Sequence, residues 1–371
     1  MKKQLSSLDL NFLVQELKSL EDSRIDKIYQ HDKNIILFSF HKANIGKKLL
    51  RIDIGQSIYL VEEKEEFSET LGFGMFLRKH LDGYYLAEIE QLEPERILKL
   101  TFKIKDSKKY FYLEFFGKGN AIFCDEHNVI HNVLEQHEFR ERVVKPKLKY
   151  VYPMMNYNLF DLKENDLINL FKNSKKETVV VSLATELGLG GLYSEEVCLL
   201  SGTDKKIIPQ NINNEQIQSI IKSIKKIINN KINPSVVFDE NNNVIDFIPF
   251  DFLFYKNNEK KEFLTFNDAV RYFHSQFKEI KETEYDKKLK SLLRIIEQQK
   301  QTLEEFRKDE KELREKGELI YHNYQLIKEV LEEINKASKK YSWKEIKEKL
   351  KGHKIVKEVI EKERKVVVEM E

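Results

Sequence analysis

The sequence predicts an α+β fold in which helices pack against an antiparallel sheet, followed by a helical domain and a long helical arm. The first 155 residues contain short β-branched and aromatic runs separated by turn residues, which are typical of strands. The middle of the chain has helix-like runs around a glycine-rich hairpin, and beyond residue 267 apolar residues recur in steps of three and four. With 371 residues, 41% hydrophobic and 34% charged, the chain is long enough for two globular domains and a strongly solvated segment.

The N-terminal domain is predicted over residues 1–155. A helix is expected from Ser7 to about Ser19, because its apolar residues follow a 3.6-residue period and Ser6 or Ser7 is available as a cap. A second helix is expected over Gly74–Leu81, packed with the first against the sheet. The expected strands are Ile35–Phe40, Leu49–Ile54, Ser57–Val61, Leu98–Ile104, Tyr110–Phe115 and Asn120–Cys124.

A helical domain is predicted over residues 156–233, with the glycine hairpin inside it and Pro234 at its end. Residues 234–266 return to strand character, since VVFDENNNVIDFIPF has two apolar runs about a DENNN turn. We interpret these strands as rejoining the first sheet, which makes the N-terminal domain discontinuous.

A coiled-coil arm is predicted over residues 267–315. A heptad stripe needs a partner helix to be buried, and the sequence leaves both a single solvated helix and an intramolecular arm open. Residues 316–371 are predicted to form short helices and a final strand at VVVEME, and we expect the chain to stop within this domain. The predicted seam consists of Leu289, Leu292, Ile296, Gln299, Leu303, Phe306, Glu310 and Leu313, of which Gln299 and Glu310 interrupt it.

Charge and cysteine content exclude several classes of protein. The formal net charge is only +2, but residues 140–149, RERVVKPKLK, carry five basic side chains and one acidic one, so local basic patches matter more than the total. Cys124 and Cys198 lack CxxC spacing, which argues against a disulfide framework or a thiolate zinc site and indicates a reducing, cytoplasmic setting. We find no apolar signal region and no run approaching 18 apolar residues, so neither export nor membrane attachment is expected.

The glycine hairpin, in the stretch SLATELGLGGLYSEEVCLLSGTDKK at 182–206, is a candidate phosphate-binding element. Glycines at 188, 190 and 191 let the backbone turn tightly and approach a ligand. The N–H groups opening the next helix, near Tyr193 to Glu196, would then face an anion such as a nucleic-acid phosphate. The alternative interpretation is a tight connection between two helices.

Three charged residues in the N-terminal domain stand out. Asp9 lies in the first helix. The segment QLEPERILKLTF places Glu95 and Arg96 at the start of a strand, among apolar residues. Arg96 is suited to grip a phosphate or stack on a base, and the alternative is a surface ion pair at a strand start. Arg78 and Lys79 add a basic face, or form a solvated helix end.

Catalytic and metal-binding motifs are not recognisable in the sequence. We find no Ser/His/Asp order, Walker loop, HExxH or dinucleotide fingerprint. His127, His131 and His137 lie close together but lack a recognised ligand spacing. We therefore predict no enzymatic constellation, no cofactor and no metal.

Seven segments, in order, resemble the NFACT family of ribosome quality-control factors, formerly described as fibronectin-binding proteins. Together they cover nearly the whole chain, and the resemblance implies an NFACT N-terminal domain with a glycosylase-like sheet, a helix-hairpin-helix domain, a coiled-coil arm and the start of an arm-tip middle domain. The segments are SLDLNFLVQELKSL with RIDKIYQ (24–30), FLRKHLDGYYL (76–86), QLEPERILKL (91–100), YLEFFGKGNAIFCDE (112–126), LGLGGLYSEEVCLLSGTDK, FLTFNDAVRYF (263–273) and KGELIYHNYQLI (316–327).

The resemblance implies particular partners. Members of the family bind large ribosomal subunits left with peptidyl-tRNA, hold tRNA there and promote template-free tailing of the nascent chain, and in eukaryotes they recruit a ubiquitin ligase. The implied partners are therefore large-subunit rRNA and its stalk base, tRNA, and a ubiquitin ligase or degradation factor. The family's returning coiled-coil helix and C-terminal RNA-binding domain have no counterpart here, so we expect a fragment or a shortened member.

The resemblance also assigns residues. The family's N-terminal acid and its Asp-Arg dyad, both needed for tailing, fall on Asp9 and on Glu95 with Arg96, so this chain has a dyad acid one methylene longer than the family's. The glycine hairpin and nearby basic residues are then expected to contact rRNA or tRNA phosphates. These residues are Gly188, Gly190, Gly191, Tyr193, Arg78, Lys79, Lys145, Lys147 and Lys149.

Two other functions are alternatives. The layout is also similar to that of formamidopyrimidine-DNA glycosylases, which act on flipped bases. Those enzymes begin with proline and glutamate, whereas this chain begins Met1, Lys2, Lys3 and has no zinc-finger cysteines. A surface adhesin would need an export signal, which we do not find.

Overall fold

The computed structural model describes residues 4–43, 45–63, 71–139, 142–153, 155–277, 284–353 and 355–369, without the side chains of His31 and of residues 284–290. Residues 1–278 and 279–371 form two compact units, and each is described by itself. Met1, Lys2 and Lys3, on which the comparison with the glycosylases rests, lie outside the described residues. The side chain of Leu289, the first residue of the predicted seam, is also not described.

The first unit is built on a large antiparallel sheet, which confirms the predicted class of sheet. Within the described residues the sheet has nine strands in the order β4-β3-β2-β1-β5-β6-β7-β8-β9. The strands are β1 Ser23–Asp32, β2 Ile35–Lys42, β3 Gly46–Asp53, β4 Ser57–Val61, β5 Tyr85–Gln91, β6 Ile97–Ile104, β7 Ser107–Glu114, β8 Asn120–Cys124 and β9 Ile130–Val133.

Two helices pack on this sheet. Helix α1 spans Ser7–Leu17 and α2 spans Gly72–Leu81, both close to their predicted ranges. Their apolar faces meet the sheet in one core, where the ring of Phe38 lies 5.7 Å from that of Phe40 and 5.9 Å from that of Phe102. Beyond β9 a two-stranded ladder follows, formed by β10 (His137–Glu138) and β11 (Val143–Val144).

Four helices follow within the range predicted to be helical: α3 Glu164–Asn173, α4 Val179–Thr185, α5 Gly191–Ser201 and α6 Asn214–Ile228. Short 3₁₀ segments lie at Leu159–Asp161, Pro209–Asn211 and Leu253–Tyr255. Buried isoleucines at 217, 220, 224 and 227 give α6 an apolar face of helical period, which explains its packing on α5 and α3.

Strands β12 (Ser235–Phe238), β13 (Val244–Ile248) and β14 (Lys260–Glu262) correct one interpretation. They do not join the first sheet but form a three-stranded sheet of their own, in the order β13-β12-β14. The outer edge of β4 is occupied instead by the side chain of Asn267, which accepts from the Leu60 N–H at 2.6 Å and donates to the Leu60 carbonyl at 3.4 Å. An edge that is already hydrogen-bonded does not accept another strand at that point.

Helix α7, Phe266–Gln276, also corrects the predicted start of the arm at residue 267. Phe266, Val270 and Phe273 are buried in the core of the first unit. The carboxylate of Glu16 on α1 accepts from the backbone N–H groups of Phe266 and Asn267, each at 2.7 Å. Because an acidic side chain satisfies the free N–H groups at its start, α7 is fastened to α1 and belongs to the globular unit.

The second unit consists of α8 Glu284–His322, α9 Tyr324–Ser338, α10 Trp343–Lys349, β15 Val356–Ile360 and β16 Lys365–Val368. Helix α8 runs past the predicted end at 315, and every residue from 291 to 322 is exposed, including the seam residues from Leu292 to Leu313. The coiled coil therefore stays a prediction. The final strand is confirmed through Val368, and Met370 and Glu371 lie outside the described residues. No helix in the described part of the chain is long and apolar enough to cross a bilayer.

Candidate functional site

Asp9 is held inside the protein at the start of α1. Its residue is completely buried, and it forms a reciprocal capping box with Ser6. The Ser6 N–H and hydroxyl donate to Asp9 Oδ2 at 2.8 and 2.7 Å, while the Asp9 N–H donates to the Ser6 hydroxyl at 3.0 Å. The carboxylate therefore satisfies the N–H of the N-cap residue, the Ser6 hydroxyl satisfies that of Asp9, and the carboxylate is closed to solvent.

Tyr193 on α5 supplies a further partner to this carboxylate. Its hydroxyl donates to Asp9 Oδ1 at 2.9 Å, and its side chain is 1% exposed. Burial, and then the negative charge of Asp9, raise the pKa of this phenol well above its ordinary value. The hydroxyl is committed to Asp9 and closed to solvent, so we reassign Tyr193 from phosphate contact to positioning Asp9.

The loop between β5 and β6 carries Glu95 and Arg96 against the same helix start. The Ser7 hydroxyl donates to the carbonyl of Pro94 at 2.7 Å. The Gln91 amide nitrogen donates to the Ser7 carbonyl at 3.0 Å, to the Ser7 hydroxyl at 2.9 Å and to the Glu95 carbonyl at 3.0 Å. One glutamine therefore joins the loop to the helix that holds Asp9.

The Glu95 carboxyl is buried and incompletely hydrogen-bonded. The residue is 8% exposed, and its Oε1 accepts no hydrogen bond from any described residue. Burial raises the pKa of this carboxyl, opposed by a backbone N–H of Met155 and by the charges of Arg142 and Arg96. A buried acceptor without a donor is costly in a folded protein, so stability does not explain this carboxyl and it is a candidate for a functional role beside Arg96.

Arg96 is half-buried and weakly held. Its guanidinium donates to the Gln4 side-chain oxygen at 3.4 Å, and Gln4 in turn donates to the Gly117 carbonyl at 2.8 Å. Burial lowers the pKa of the guanidinium, and the charge of Glu95 opposes this shift. A guanidinium with one long hydrogen bond among described residues keeps most of its donors for an incoming anion.

The glycine hairpin lies beside this loop. Gly188 and Gly190 adopt φ of +80° and +78°, and a Cβ on Gly188 would lie 2.7 Å from the Met155 sulfur, the residue whose N–H bonds to Glu95. A Cβ on Gly190 would lie 3.8 Å from the Ser6 Cβ. Helix α5 begins at Gly191, so its free N–H groups are those of residues 191–193 rather than 193–196.

The chain is similar to known proteins both in sequence and in fold. A family model described as "NFACT N-terminal and middle domains" matches residues 6–363. The chain belongs to the NFACT family. The match spans both compact units and every residue of the site described above except Gln4.

Curated relatives of this NFACT chain include an archaeal Rqc2 homolog, aRqcH of Methanocaldococcus jannaschii, 30% identical over 95% of this chain and 55% of that protein. The human ribosome quality control complex subunit NEMF is 25% identical over 93% of this chain and 35% of that protein. The chain thus spans about half, or less, of the length of these relatives. The crystal structure of the fibrinogen binding protein from Staphylococcus aureus has a TM-score of 0.59 at 20% identity, covering 72% of this chain and 98% of that one. At that identity the likeness shows the fold alone.

The predicted basic residues of this NFACT chain lie elsewhere on the first unit. On α2, Arg78 donates to the Ile28 carbonyl and packs over the Tyr29 ring at 5.1 Å, while Lys79 is exposed. Lys145, Lys147 and Lys149 follow β11 with exposed side chains, and Lys145 lies 3.4 Å from Glu138. An exposed ion pair of this kind contributes little to stability.

The histidines and cysteines form no site among the described residues. His131 lies 3.3 Å from Asp125, and His127 is exposed. No group of three or more potential ligands lies together in the described part of the chain. Both cysteines are free and buried, as expected, and burial raises the pKa of Cys124 to about 12 and that of Cys198 to about 11.

Several residues of the site were not singled out by the sequence. Gln4 lies outside the family segments and Gln91 had no predicted role, yet they contact Arg96 and the dyad loop. Arg142 makes two bonds to Glu114, at 2.6 and 3.0 Å, and Tyr150 donates to the same carboxylate at 2.8 Å. Only the family segments that contain Gln91 and Glu114 gave any signal of their importance.

Proposed function

We propose that this chain acts in ribosome-associated quality control. It binds the large ribosomal subunit that carries stalled peptidyl-tRNA, holds tRNA there and promotes template-independent tailing of the nascent chain. Family membership and the names of the archaeal and human relatives support the role. The same proposal places the chain in the cytoplasm. It also includes a further partner, a ubiquitin ligase or another degradation factor.

The convergence of three chain segments is the observation that carries the site's part in this function. Asp9, Glu95 with Arg96, and the glycine hairpin are distant in sequence, yet hydrogen bonds and close contacts join them around the start of α1. Surface ion pairs and plain helix connections do not require such convergence.

The residues have different roles in this proposal. Arg96 and the open N–H groups of Gly191 and Leu192 contact tRNA phosphates or bases, because they are the anion-binding groups of the site. Glu95 is buried, so it acts through its charge beside Arg96 rather than by touching RNA. Asp9 is completely buried, so it acts through Tyr193 and the helix start rather than by touching RNA. The exposed lysines add salt-dependent contacts to phosphates.

Co-sedimentation with dissociated large subunits tests the ribosomal part of the proposal. We expect the tagged chain to co-sediment with large subunits at low salt and to be released progressively as salt rises. A matched control is an equal amount of small subunits. Folded chain that stays at the top of the gradient with large subunits present would contradict the proposal.

The glycosylase alternative has its own assay. A chain of that function would cleave DNA at an abasic site, and an abasic-site lyase assay with a known glycosylase as positive control measures this directly. We expect no cleavage above the protein-free rate.

A further inference from the structure

Phe139 is an aromatic side chain left on the surface of the first unit. It directly follows β10, and it is 45% exposed. Its backbone is fixed, because its N–H donates to the Arg142 carbonyl at 2.8 Å. The ring is therefore both accessible to a partner and held in place.

The guanidinium of Arg142 packs against the Phe139 ring. Its guanidinium donates to both carboxylate oxygens of Glu114 and to the Val151 carbonyl at 3.2 Å, and its side chain is 8% exposed. The Cζ of Arg142 lies 4.7 Å from the Phe139 ring centroid and 5.6 Å from that of Phe116. A guanidinium fixed by a bidentate ion pair cannot swing away, so the ring is preorganised.

A series of contacts connects Phe139 to the candidate site. Phe116 precedes Gly117, whose carbonyl accepts from Gln4, and Gln4 accepts from Arg96. A continuous row therefore leads from Arg96 through Gln4 and Phe116 to Arg142 and Phe139. The charge of Arg142 also lowers the pKa of Glu95, which agrees with this proximity.

The charge beside the ring indicates the kind of partner. Lys145 lies 3.4 Å from Glu138, the residue before Phe139, whereas Lys147 and Lys149 are exposed beyond β11 and form no ion pair with any described residue. Proteins that bind single-stranded nucleic acid combine basic residues that follow the phosphates with aromatic rings on which bases stack. Two exposed lysines on the segment that follows the ring favour such a partner over a protein that buries an apolar patch.

We propose that Phe139, backed by Arg142, is a stacking platform for a nucleobase of single-stranded RNA, with the neighbouring lysines on its phosphates. The proposal rests on the proposed function, because the RNA it fits is an unpaired region of the tRNA held at Arg96. It adds a base-contacting residue to a site otherwise made of charged and backbone groups.

Direct RNA binding by the full chain tests the platform without ribosomes. The probe is a fluorescein-labelled single-stranded RNA decamer, measured by fluorescence anisotropy at constant salt, with an abasic strand of the same length as a second probe. We expect Phe139→Ala to weaken decamer binding about 5- to 100-fold and Phe139→Trp to retain it. Binding of the abasic strand is expected to be equal in all variants, because only phosphates remain to be contacted.

Two control variants keep the test decisive. Phe139→Leu keeps apolar area without an aromatic face, so it is expected to bind like Phe139→Ala. Phe254→Ala removes another ring of similar exposure, 44%, and is expected to bind like the wild type. Thermal melting confirms that each variant is folded.

Three results would overturn the proposal. They are absence of decamer binding by the wild type, equal binding by Phe139→Ala, and full binding by Phe139→Leu, the last of which would show that the contact needs apolar area and not an aromatic face. Large-subunit co-sedimentation is measured separately, so a failure of the platform and a failure of the proposed function give different results.

Discussion

The Tyr193 hydroxyl donates a 2.9 Å hydrogen bond to Oδ1 of Asp9, joining helix α5 to the first turn of α1 across 184 positions of the chain. Both side chains are buried, so the bond is shielded from competition by water. The glycine hairpin immediately precedes Tyr193, and the dyad loop is bonded to Ser7 beside Asp9. This bond therefore fixes the hairpin relative to Glu95 and Arg96.

Replacing Tyr193 with phenylalanine removes only the hydroxyl. We expect the free energy of unfolding of the first unit to fall by about 1–3 kcal/mol, because a buried carboxylate loses a donor. Urea unfolding followed by near-UV circular dichroism of the tyrosines measures the change, with Trp343 fluorescence as an internal reference from the second unit. Tyr85→Phe, at a half-exposed tyrosine on β5, is the control, and an equal loss in both variants would contradict this role.

Two neighbouring glycines provide a matched pair. We expect Gly188→Ala to destabilise the first unit by about 1–2 kcal/mol, because its φ is +80° and the new methyl group would approach the end of Met155. Gly191→Ala has an ordinary φ and open space around it, so it is expected to change stability by less than about 0.5 kcal/mol. Thermal unfolding of the two variants compares them directly, and equal melting temperatures would show that the hairpin conformation is not required.

Replacing Glu95 with glutamine is expected to alter the pH dependence of stability. Burial raises the pKa of Glu95 above its ordinary value of 4.5, so the folded protein binds this proton more tightly than the unfolded chain does. The resulting stabilisation is fully present below about pH 4.5 and is lost as pH rises through the folded-state pKa. Glu95→Gln is therefore expected to gain stability relative to the wild type as pH rises from 4 to 7.

Urea midpoints for wild type and Glu95→Gln over this range provide the measurement. The exposed Glu88→Gln on β5 is the matched control. A difference between Glu95→Gln and wild type that is independent of pH would show that the buried carboxyl is not the titrating group.

Gln91 is predicted to keep the dyad loop closed. Gln91→Leu removes its bonds to Ser7 and to the Glu95 carbonyl while keeping a similar volume. We expect amide hydrogen exchange in residues 92–97 to accelerate about tenfold, because the loop opens more easily without these bonds. Gln15→Leu, at an exposed position on α1, is the control, and unchanged exchange in the Gln91 variant would contradict the proposed clamp.

Much of the sheet was predictable, and bulges explain what was not. Each of the six predicted strands overlaps an observed one, because each is rich in β-branched or aromatic residues and bounded by turn residues. Strands β1, β5 and β9 were not predicted, and each contains a register shift, between Ile25 and Lys27, between Leu86 and Glu88 and between Ile130 and Asn132. A bulge displaces the two-residue alternation by one position, so the pattern in sequence no longer matches a strand.

The candidate site could be predicted as residues but not as a network. Asp9, Glu95 and Arg96 are candidates by their positions in the sequence and by the family's segments, and the hairpin is a candidate by its glycines. The partners that hold them, Tyr193 for Asp9 and Gln91 for the loop, are ordinary residues whose role depends on contacts across long stretches of chain. The exposure of Phe139 was equally invisible, because an isolated aromatic residue in sequence is more often buried than exposed.

The proposed role of Arg96 in tRNA handling is tested most directly by identifying the tRNA that co-purifies with the large subunits to which this chain is bound. Wild type, Arg96→Ala and the control Arg271→Ala, whose arginine pairs with Glu62 on the same unit, are compared by sequencing the bound tRNA. We expect one tRNA class to be enriched with wild type and Arg271→Ala, and the enrichment to fall about tenfold or more with Arg96→Ala while subunit binding persists. Equal tRNA profiles for all three proteins on bound subunits would contradict the claim that this site handles tRNA.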